Sequence, residues 1–245
     1  MTLTKVLAPM GLEVSSTSQS ASFPFGARLS GVRLISTRPA SAGLLVESPA
    51  VTIAPAFLSM LTMHPGVRVK AALYDGIVNV ILRPGSRGTA ISYDLDSVEI
   101  ARQQLWTIPG ASAAGALSGS GNLLLSPDDI AENGEGILSA AGLTFTSAFA
   151  SSPIRLGEGH SKFKLDQGML TIEQLTTSGG DLTITAEGTV QLASDPGESE
   201  LAIEFTLSTP PAAAPQLAVL LAILPHPPGP EPYHLTGTLN APRIS

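Results

Sequence analysis

Strict alternation of apolar and polar side chains marks two segments late in the chain, Leu182-Thr183-Ile184-Thr185-Ala186-Glu187 and Leu201-Ala202-Ile203-Glu204-Phe205-Thr206-Leu207. A period of two sends one set of side chains to a core and the other to water, which is typical of half-buried antiparallel strands. The alternation predicts that one apolar interior or groove receives Leu182, Ile184, Leu201, Ile203 and Phe205.

The same alternation of apolar and polar residues occurs in most of the chain. Val67-Arg68-Val69-Lys70-Ala71 alternates strictly, and further apolar runs open just after Gly76, Gly168, Gly180 and Gly188. Short glycine-containing turns between such runs are typical of β-hairpins. We therefore predict a mainly β fold in which about a dozen strands form one curled, strongly twisted antiparallel sheet.

Three segments break the alternation and are predicted to be short helices. Pro55 to Met63 and Asp94 to Leu105 show helical spacing of apolar residues, the first after a proline and the second after a candidate N-cap. Gln216 to Leu224 is apolar nearly all round, which favours a buried helix. By contrast, Ala111 to Gly121 is rich in Gly, Ala and Ser. We predict a loop there, as the candidate division between two halves of a single domain spanning residues 1–245.

The helix from Gln216 to Leu224 contains the longest apolar run of the sequence, Leu217 to Leu224, bounded by Pro215 and Pro225. Eight apolar residues are too few to cross a bilayer, which needs about 20. We expect the helix to close one end of the β interior, with its apolar surface offered to a membrane or partner as the alternative. The packing alternative buries Leu217, Leu220, Leu221 and Leu224. The N-terminus lacks the apolar core of a signal peptide, so neither an anchor nor a leader is predicted for this sequence.

Composition restricts the classes of function. The 245 residues carry 13 Lys+Arg against 20 Asp+Glu, a net charge of −7, which disfavours binding to nucleic acid through its phosphates. The absence of Cys excludes disulfides, thiolate metal sites and cysteine nucleophiles. Aromatic residues make up only 4%, so a stacking platform for sugars or bases is not expected.

The motifs that carry chemistry are weak. The four His are scattered, Gly115 to Gly121 lacks the Lys and the helix of a phosphate loop, and Asp128, Asp129, Glu132 and Glu135 lack the spacing of a calcium loop. We predict no catalytic, cofactor-binding or metal-binding residues, and hence a protein that is not an enzyme. A hydrolase on a β scaffold stays open as the least favoured alternative.

Several motifs follow one another in a distinctive order. They are Val6–Val14 (VLAPMGLEV), Phe25–Leu34 (FGARLSGVRL), Ala50–Pro55 (AVTIAP) leading into Leu58–Leu61, Lys70–Gly76 (KAALYDG), Leu170–Leu175 (LTIEQL) with Gly179–Leu182, and the closing Tyr233–Arg243 (YHLTGTLNAPR). Their order resembles the type II secretion system protein N family, which is related to the AsmA-like periplasmic proteins. The resemblance covers nearly the whole chain.

The resemblance implies a periplasmic β-rich body behind an inner-membrane anchor, although this sequence shows no such anchor. It implies an accessory or assembly component of a type II secretion system, with other inner-membrane and periplasmic secretion proteins as partners. The alternative is a lipid-binding or lipid-transfer groove of the AsmA-like kind, formed by a curled sheet. The family offers no catalytic residues and no cofactor.

Overall fold

The computed structural model describes residues 12–22, 25–36, 43–56, 66–86, 88–100, 111–126, 131–147, 152–193, 196–210, 217, 221–222 and 224–245. Fifteen strands account for most of them. They are β1 (Leu12–Ser15), β2 (Ser18–Ser22), β3 (Gly26–Ser36), β4 (Gly43–Pro55), β5 (Val67–Leu73), β6 (Gly76–Gly85), β7 (Gly88–Glu99), β8 (Ala111–Leu125), β9 (Ala131–Ser147), β10 (Ile154–Asp166), β11 (Met169–Gly179), β12 (Thr183–Gln191), β13 (Glu200–Ser208), β14 (Tyr233–Thr238) and β15 (Ala241–Ile244).

All fifteen strands belong to one open antiparallel sheet. From β3 to β15 each strand pairs with the next along the chain, while β1 and β2 both pair with β3. Each hairpin joins neighbours in sequence, which follows from the alternating runs and the turns between them. The prediction of a mainly β fold is confirmed, and the sheet has more strands than the dozen expected.

The two edges of the sheet differ. At one edge, Thr17 separates β1 from β2, and both its amide and its hydroxyl donate to the carbonyl of Ser30 over 2.9 Å. At the other edge, His234 and Ser245 exchange backbone hydrogen bonds, so the alternate residues Pro242 and Ile244 point their backbone groups outward. Since proline has no amide donor, Pro242 weakens this edge as a template for another strand.

The prediction of a helix from Asp94 to Leu105 is wrong over residues 94 to 99, Ile100 has 3-10 conformation, and the rest of the segment lies outside the described residues. Positions 94 to 99 belong to β7, and the register with β8 shifts between Leu95 and Val98. Ser97 has a positive φ of 55° and its amide is held by the hydroxyl of Ser118. This β-bulge inserts an extra residue, so Leu95 and Val98 share a face although they stand three apart, a spacing that imitates a helix.

The loop predicted for Ala111 to Gly121 is also wrong. These residues form the first part of β8, which pairs with β7 on one side and with β9 on the other. The sheet is continuous through this segment, and the single-domain assignment stays a prediction. Most of the predicted helix from Pro55 to Met63 lies outside the described residues; Pro55 itself ends β4.

Helical structure is scarce in the described part of the chain. A 3-10 turn spans Pro196–Glu198, Ile100 also has 3-10 conformation, and residues 217, 221 and 222 are α-helical. Two or three short helices were predicted, and the described helical residues within these segments are Ile100 and those near Leu217. None of the described helices is both long and apolar enough to span a bilayer.

Candidate functional site

Register places apolar residues on one face across almost the entire sheet. Directly paired residues of an antiparallel sheet share a face, so a row can be followed from strand to strand. One such row crosses β3 to β15, has no charged side chain and has the hydroxyl of Tyr93 as its one polar side-chain group: Ala27, Ile53, Val69, Val80, Tyr93, Gly121, Gly136, Phe163, Ile172, Gly188, Ile203, Leu235 and Ile244.

A second row on the same face is equally apolar. It contains Pro55, Val67, Leu82, Ile91, Leu123, Gly134, Leu165, Leu170, Val190, Leu201 and Gly237. We call these two rows together the apolar face. At about 4.8 Å between strands, the longer row extends over roughly 55 Å.

The opposite side of the sheet is polar. The row displaced by one residue from the first contains Arg28, Thr52, Lys70, Asn79, Asp94, Ser120, Ile137, Lys162 and Gln174. Only Ile137 interrupts its polarity. We call this side the polar face, and along these rows the contrast makes the sheet amphipathic from β3 to β11.

Aromatic rings fill the space above glycines at the middle of the apolar face. A Cβ atom added to Gly121 would lie 2.5 Å from the hydroxyl oxygen of Tyr93, and one added to Gly136 would lie 2.6 Å from Cζ of Phe163 and against the Tyr93 hydroxyl. The glycines therefore leave room for the outer ends of these two rings to approach the backbone. Partial burial raises the pKa of the Tyr93 hydroxyl from its ordinary value.

Burial on the apolar face is uneven. Val69, Val80, Tyr93, Phe163 and Ile172 are only half-buried. In the second row, Leu165, Val190 and Leu201 are buried. A further cluster of buried residues lies near the C-terminal end of the sheet, and we call it the end cluster: Ile154, Leu182, Leu207, Leu217 and Tyr233. The middle of the face thus keeps apolar surface in contact with solvent, where another apolar surface would be stabilised by covering it.

Tyr233 anchors the end cluster. It is fully buried, its ring stacks on Phe205 and on His226 with centroids 5.1 and 4.0 Å apart, and its hydroxyl donates to the carbonyl of His226 over 2.7 Å. Burial and, secondarily, Glu231 raise the pKa of this hydroxyl. The proline-rich segment that contains His226 is thereby fastened to the sheet.

The residues predicted to line an apolar interior can now be placed. Leu201 and Ile203 belong to the apolar face. Ile184 pairs with Leu207, and Phe205 pairs with Tyr233, so all of these share one side of the sheet. Leu182 precedes β12 and belongs to the end cluster.

Of the predicted plug, Leu217 is fully buried, and Leu221 and Leu224 are half-buried against the end cluster. Leu220 lies outside the described residues. The role of this region as a groove or its closure stays a prediction.

Sequence reasoning did not find Tyr93 and Phe163 as members of the face. Tyr93 directly precedes the segment interpreted as a helix, and Phe163 lies in the short alternating run from Lys162 to Asp166, which the sequence predictions did not include. The signal that finds them is register, which a single sequence specifies only where turns and alternation agree.

Charges on the polar face are partly paired. Glu173 accepts hydrogen bonds from the ammonium groups of Lys162 and Lys164 over 2.8 and 2.5 Å, which lowers the pKa of its carboxyl. The face also has an open depression of about 410 Å³ bordered by Ser92, Ser120 and Asn122. The described residues contain no group of three His, Asp or Glu side chains placed to hold a metal ion.

No protein-family model, curated protein or solved structure matches the chain. The resemblance to the secretion family therefore stays a prediction.

Proposed function

We infer that the chain is a non-enzymatic, periplasmic protein of the bacterial envelope whose apolar face shelters the acyl chains of lipids. The observation that supports the proposal is the pair of apolar rows that cross the sheet from β4 to β14. A single-layer sheet with one apolar side needs a second surface to cover that side. In the middle of the face, half-buried residues such as Val80 and Tyr93 leave that need unmet within the described residues.

The dimensions of the face suit acyl chains. Neighbouring rows on one face of the sheet are two residues apart along each strand, a distance of about 7 Å. Two such rows are therefore wide enough to contact one extended hydrocarbon chain along its length. One leaflet of a bilayer core is about 15 Å thick, against roughly 55 Å for the longer row. The absence of charged side chains from both rows avoids the cost of burying charge against hydrocarbon.

The test is native mass spectrometry of the purified chain, followed by extraction and identification of what is bound. Val80→Asn places an amide on the apolar face, and Ile81→Asn makes the same kind of change at the next residue, on the polar face. The proposal expects bound phospholipid in the wild type and in Ile81→Asn, and less in Val80→Asn. The wild-type protein would be purified in mild detergent, incubated with phospholipid vesicles and then separated from them. Absence of bound lipid after this treatment would contradict the proposal.

A second function, as an assembly component of a type II secretion system, is favoured by the edge of the sheet at β2. Ser18–Ser22 is exposed, uncharged and free of proline, whereas Pro242 interrupts the other edge. An uncharged edge strand accepts an added strand from a partner. Binding of a purified inner-membrane secretion protein, lost in Gln19→Pro and kept in Val80→Asn, would establish this function in place of lipid binding.

A further inference from the structure

Charge is distributed very unevenly along the chain. Residues 1–93 carry eight Lys+Arg and three Asp+Glu, a net charge of +5, whereas residues 94–245 carry five and 17, a net charge of −12. The described strands carry the same asymmetry across the sheet: β3 to β6 hold five Lys+Arg and one Asp+Glu, a net charge of +4, whereas β7 to β15 hold four and 11, a net charge of −7. One end is basic and the other strongly acidic.

Register gathers the basic residues of the first strands on the polar face. Arg28 on β3 and Lys70 on β5 both pair with Thr52, which lies between them on β4. Arg68 lies two residues before Lys70, on the same side of β5. Its partner on β6 is Ile81, and Arg83 lies two residues beyond Ile81 on the same side. All four side chains are exposed. We call them the basic patch; two strand spacings put Arg28 about 10 Å from Lys70.

Within the described residues, no carboxylate forms an ion pair with the basic patch. Four other cations of the sheet are paired: Arg33 binds Glu47 over 3.1 Å, Arg155 binds Asp181 over 2.7 Å, and Lys162 and Lys164 share Glu173.

The acidic strands β12 and β13 lie seven and eight strands from β5, a separation of roughly 35 Å. That distance is several Debye lengths at physiological ionic strength, so the acidic end does not neutralise the patch. Asp94 lies nearer on the polar face, two strand spacings or about 10 Å from Lys70, where it accepts a hydrogen bond from Asn79 and attracts the patch only through a screened interaction.

The shape of the patch indicates the kind of anion. Its four charges are spread over neighbouring strands of an exposed sheet surface, which suits a laterally extended array of phosphates better than one enclosed phosphate. We propose that the basic patch docks this end of the sheet on the phosphate headgroups of an anionic bilayer. The inference rests on the proposed function in that a protein which shelters acyl chains needs access to a membrane.

Docking has an orientational consequence. Each basic residue near an anionic surface contributes about 1 kcal/mol, while the acidic strands are repelled by the same surface. The sheet therefore presents β3 to β6 to the bilayer and turns β12 and β13 away. The end cluster around Tyr233 then lies at the end remote from the membrane.

The experiment is co-sedimentation of the full chain with vesicles of phosphatidylcholine, with or without phosphatidylglycerol. The test variant combines Arg28→Ser, Arg68→Ser and Lys70→Ser. The control combines Lys162→Ser, Lys164→Ser and Arg243→Ser, which changes the net charge equally. We expect wild type and control to bind anionic vesicles in a salt-sensitive way, and the test variant to bind on the order of a hundredfold more weakly, from about 1 kcal/mol for each removed charge.

Equal losses in the two triple variants, or equal binding to neutral vesicles, would overturn the proposal, as would RNA binding that outcompetes the anionic vesicles. Inorganic phosphate should compete no better than chloride at equal ionic strength; stronger competition would indicate a single-phosphate site instead.

Should the test variant unfold, the variant Arg28→Lys, Arg68→Lys, Lys70→Arg must keep vesicle binding. Native mass spectrometry of bound lipid distinguishes this proposal from the proposed function. Loss of vesicle docking with lipid still bound would count against the basic patch alone, and vesicle docking without bound lipid would count against the apolar face alone.

Discussion

The guanidinium of Arg155 and the carboxylate of Asp181 meet at two points, with Nη2 donating to Oδ1 over 2.7 Å and Nε donating to Oδ2 over 3.2 Å. The backbone amide of Arg155 donates to the same Oδ2 over 3.0 Å. The contact fastens the start of β10 to the turn before β12, directly beside Leu182 of the end cluster. Asp181 is buried, whereas the Arg155 side chain is largely exposed.

Removal of this carboxylate should destabilise the sheet in a pH-dependent way. Hydrogen bonds from the side chain and the backbone of Arg155 lower the pKa of Asp181. A carboxyl whose pKa is lower in the folded state adds stability above its unfolded pKa of about 3.9, and that stability is lost as the pH falls through the folded pKa. We expect Asp181→Asn to lower the melting temperature at pH 7, and the difference from wild type to shrink on acidification below about pH 4. A difference that is independent of pH would contradict the assignment.

The end cluster should depend on Leu217. This side chain is 0% exposed and packs with Leu182, Leu207 and Tyr233, so its truncation leaves a cavity. Leu217→Ala is expected to lower the free energy of unfolding by about 2–5 kcal/mol, measured by urea titration. Leu221→Ala should cost less because Leu221 is half-buried. The exposed Leu192 supplies the control: Leu192→Ala should change stability by less than about 0.5 kcal/mol, and a similar loss for Leu192 and Leu217 would refute the packing.

The two faces of β13 can be compared at adjacent residues. Ile203 lies on the apolar face between Gly188 and Leu235, whereas Ala202 is exposed on the polar face. Ile203→Asp puts a charge on apolar surface and should cost several kcal/mol or prevent folding. Ala202→Asp adds only screened repulsion from Glu200 and Glu204, so we expect a change within about 1 kcal/mol. Reversal of this order in thermal unfolding would mean that the register of β13 is wrong.

Gly136 should not tolerate a side chain. The rings of Tyr93 and Phe163 occupy the space of its missing Cβ, so Gly136→Ala forces both rings to move and should cost about 1–3 kcal/mol. Gly85 is the matched control, since a Cβ added there meets only the carbonyl of Gly88 at 3.5 Å. Thermal unfolding of the two alanine variants compares them directly. An unchanged melting temperature for Gly136→Ala would show that the rings do not lie over the glycine.

The sequence predicted the strands best where alternation and glycine turns agree. In β12 and β13, Ile184, Ile203 and Phe205 alternate with polar residues, and no irregularity interrupts their pairing. The strand β7 was misread because the bulge at Ser97 changes the spacing between Leu95 and Val98 from two to three. A bulge is fixed by the partner strand, here through Ser118, and so leaves no local signal of its own.

The misreading of β8 has a different physical cause. Its Gly, Ala and Ser residues have low strand propensity, and propensity is what a single sequence displays. In the fold the segment is held by β7 and β9 on both sides, and Gly121 is required there because the Tyr93 ring lies above it. The middle of the apolar face follows from this long-range pairing, which is why only its C-terminal part was predicted from sequence.

The most direct test of the central claim is photo-crosslinking with a phospholipid that carries a diazirine in its acyl chain, followed by peptide mapping of the adducts. If the apolar face shelters acyl chains, adducts will fall on its residues, such as Val80, Tyr93 and Ile172, and will be lost when unlabelled phospholipid competes. Their immediate neighbours on the polar face, such as Ile81 and Ser92, will remain unmodified. Adducts distributed equally over the two faces, or confined to the edge strand β2, would contradict the account.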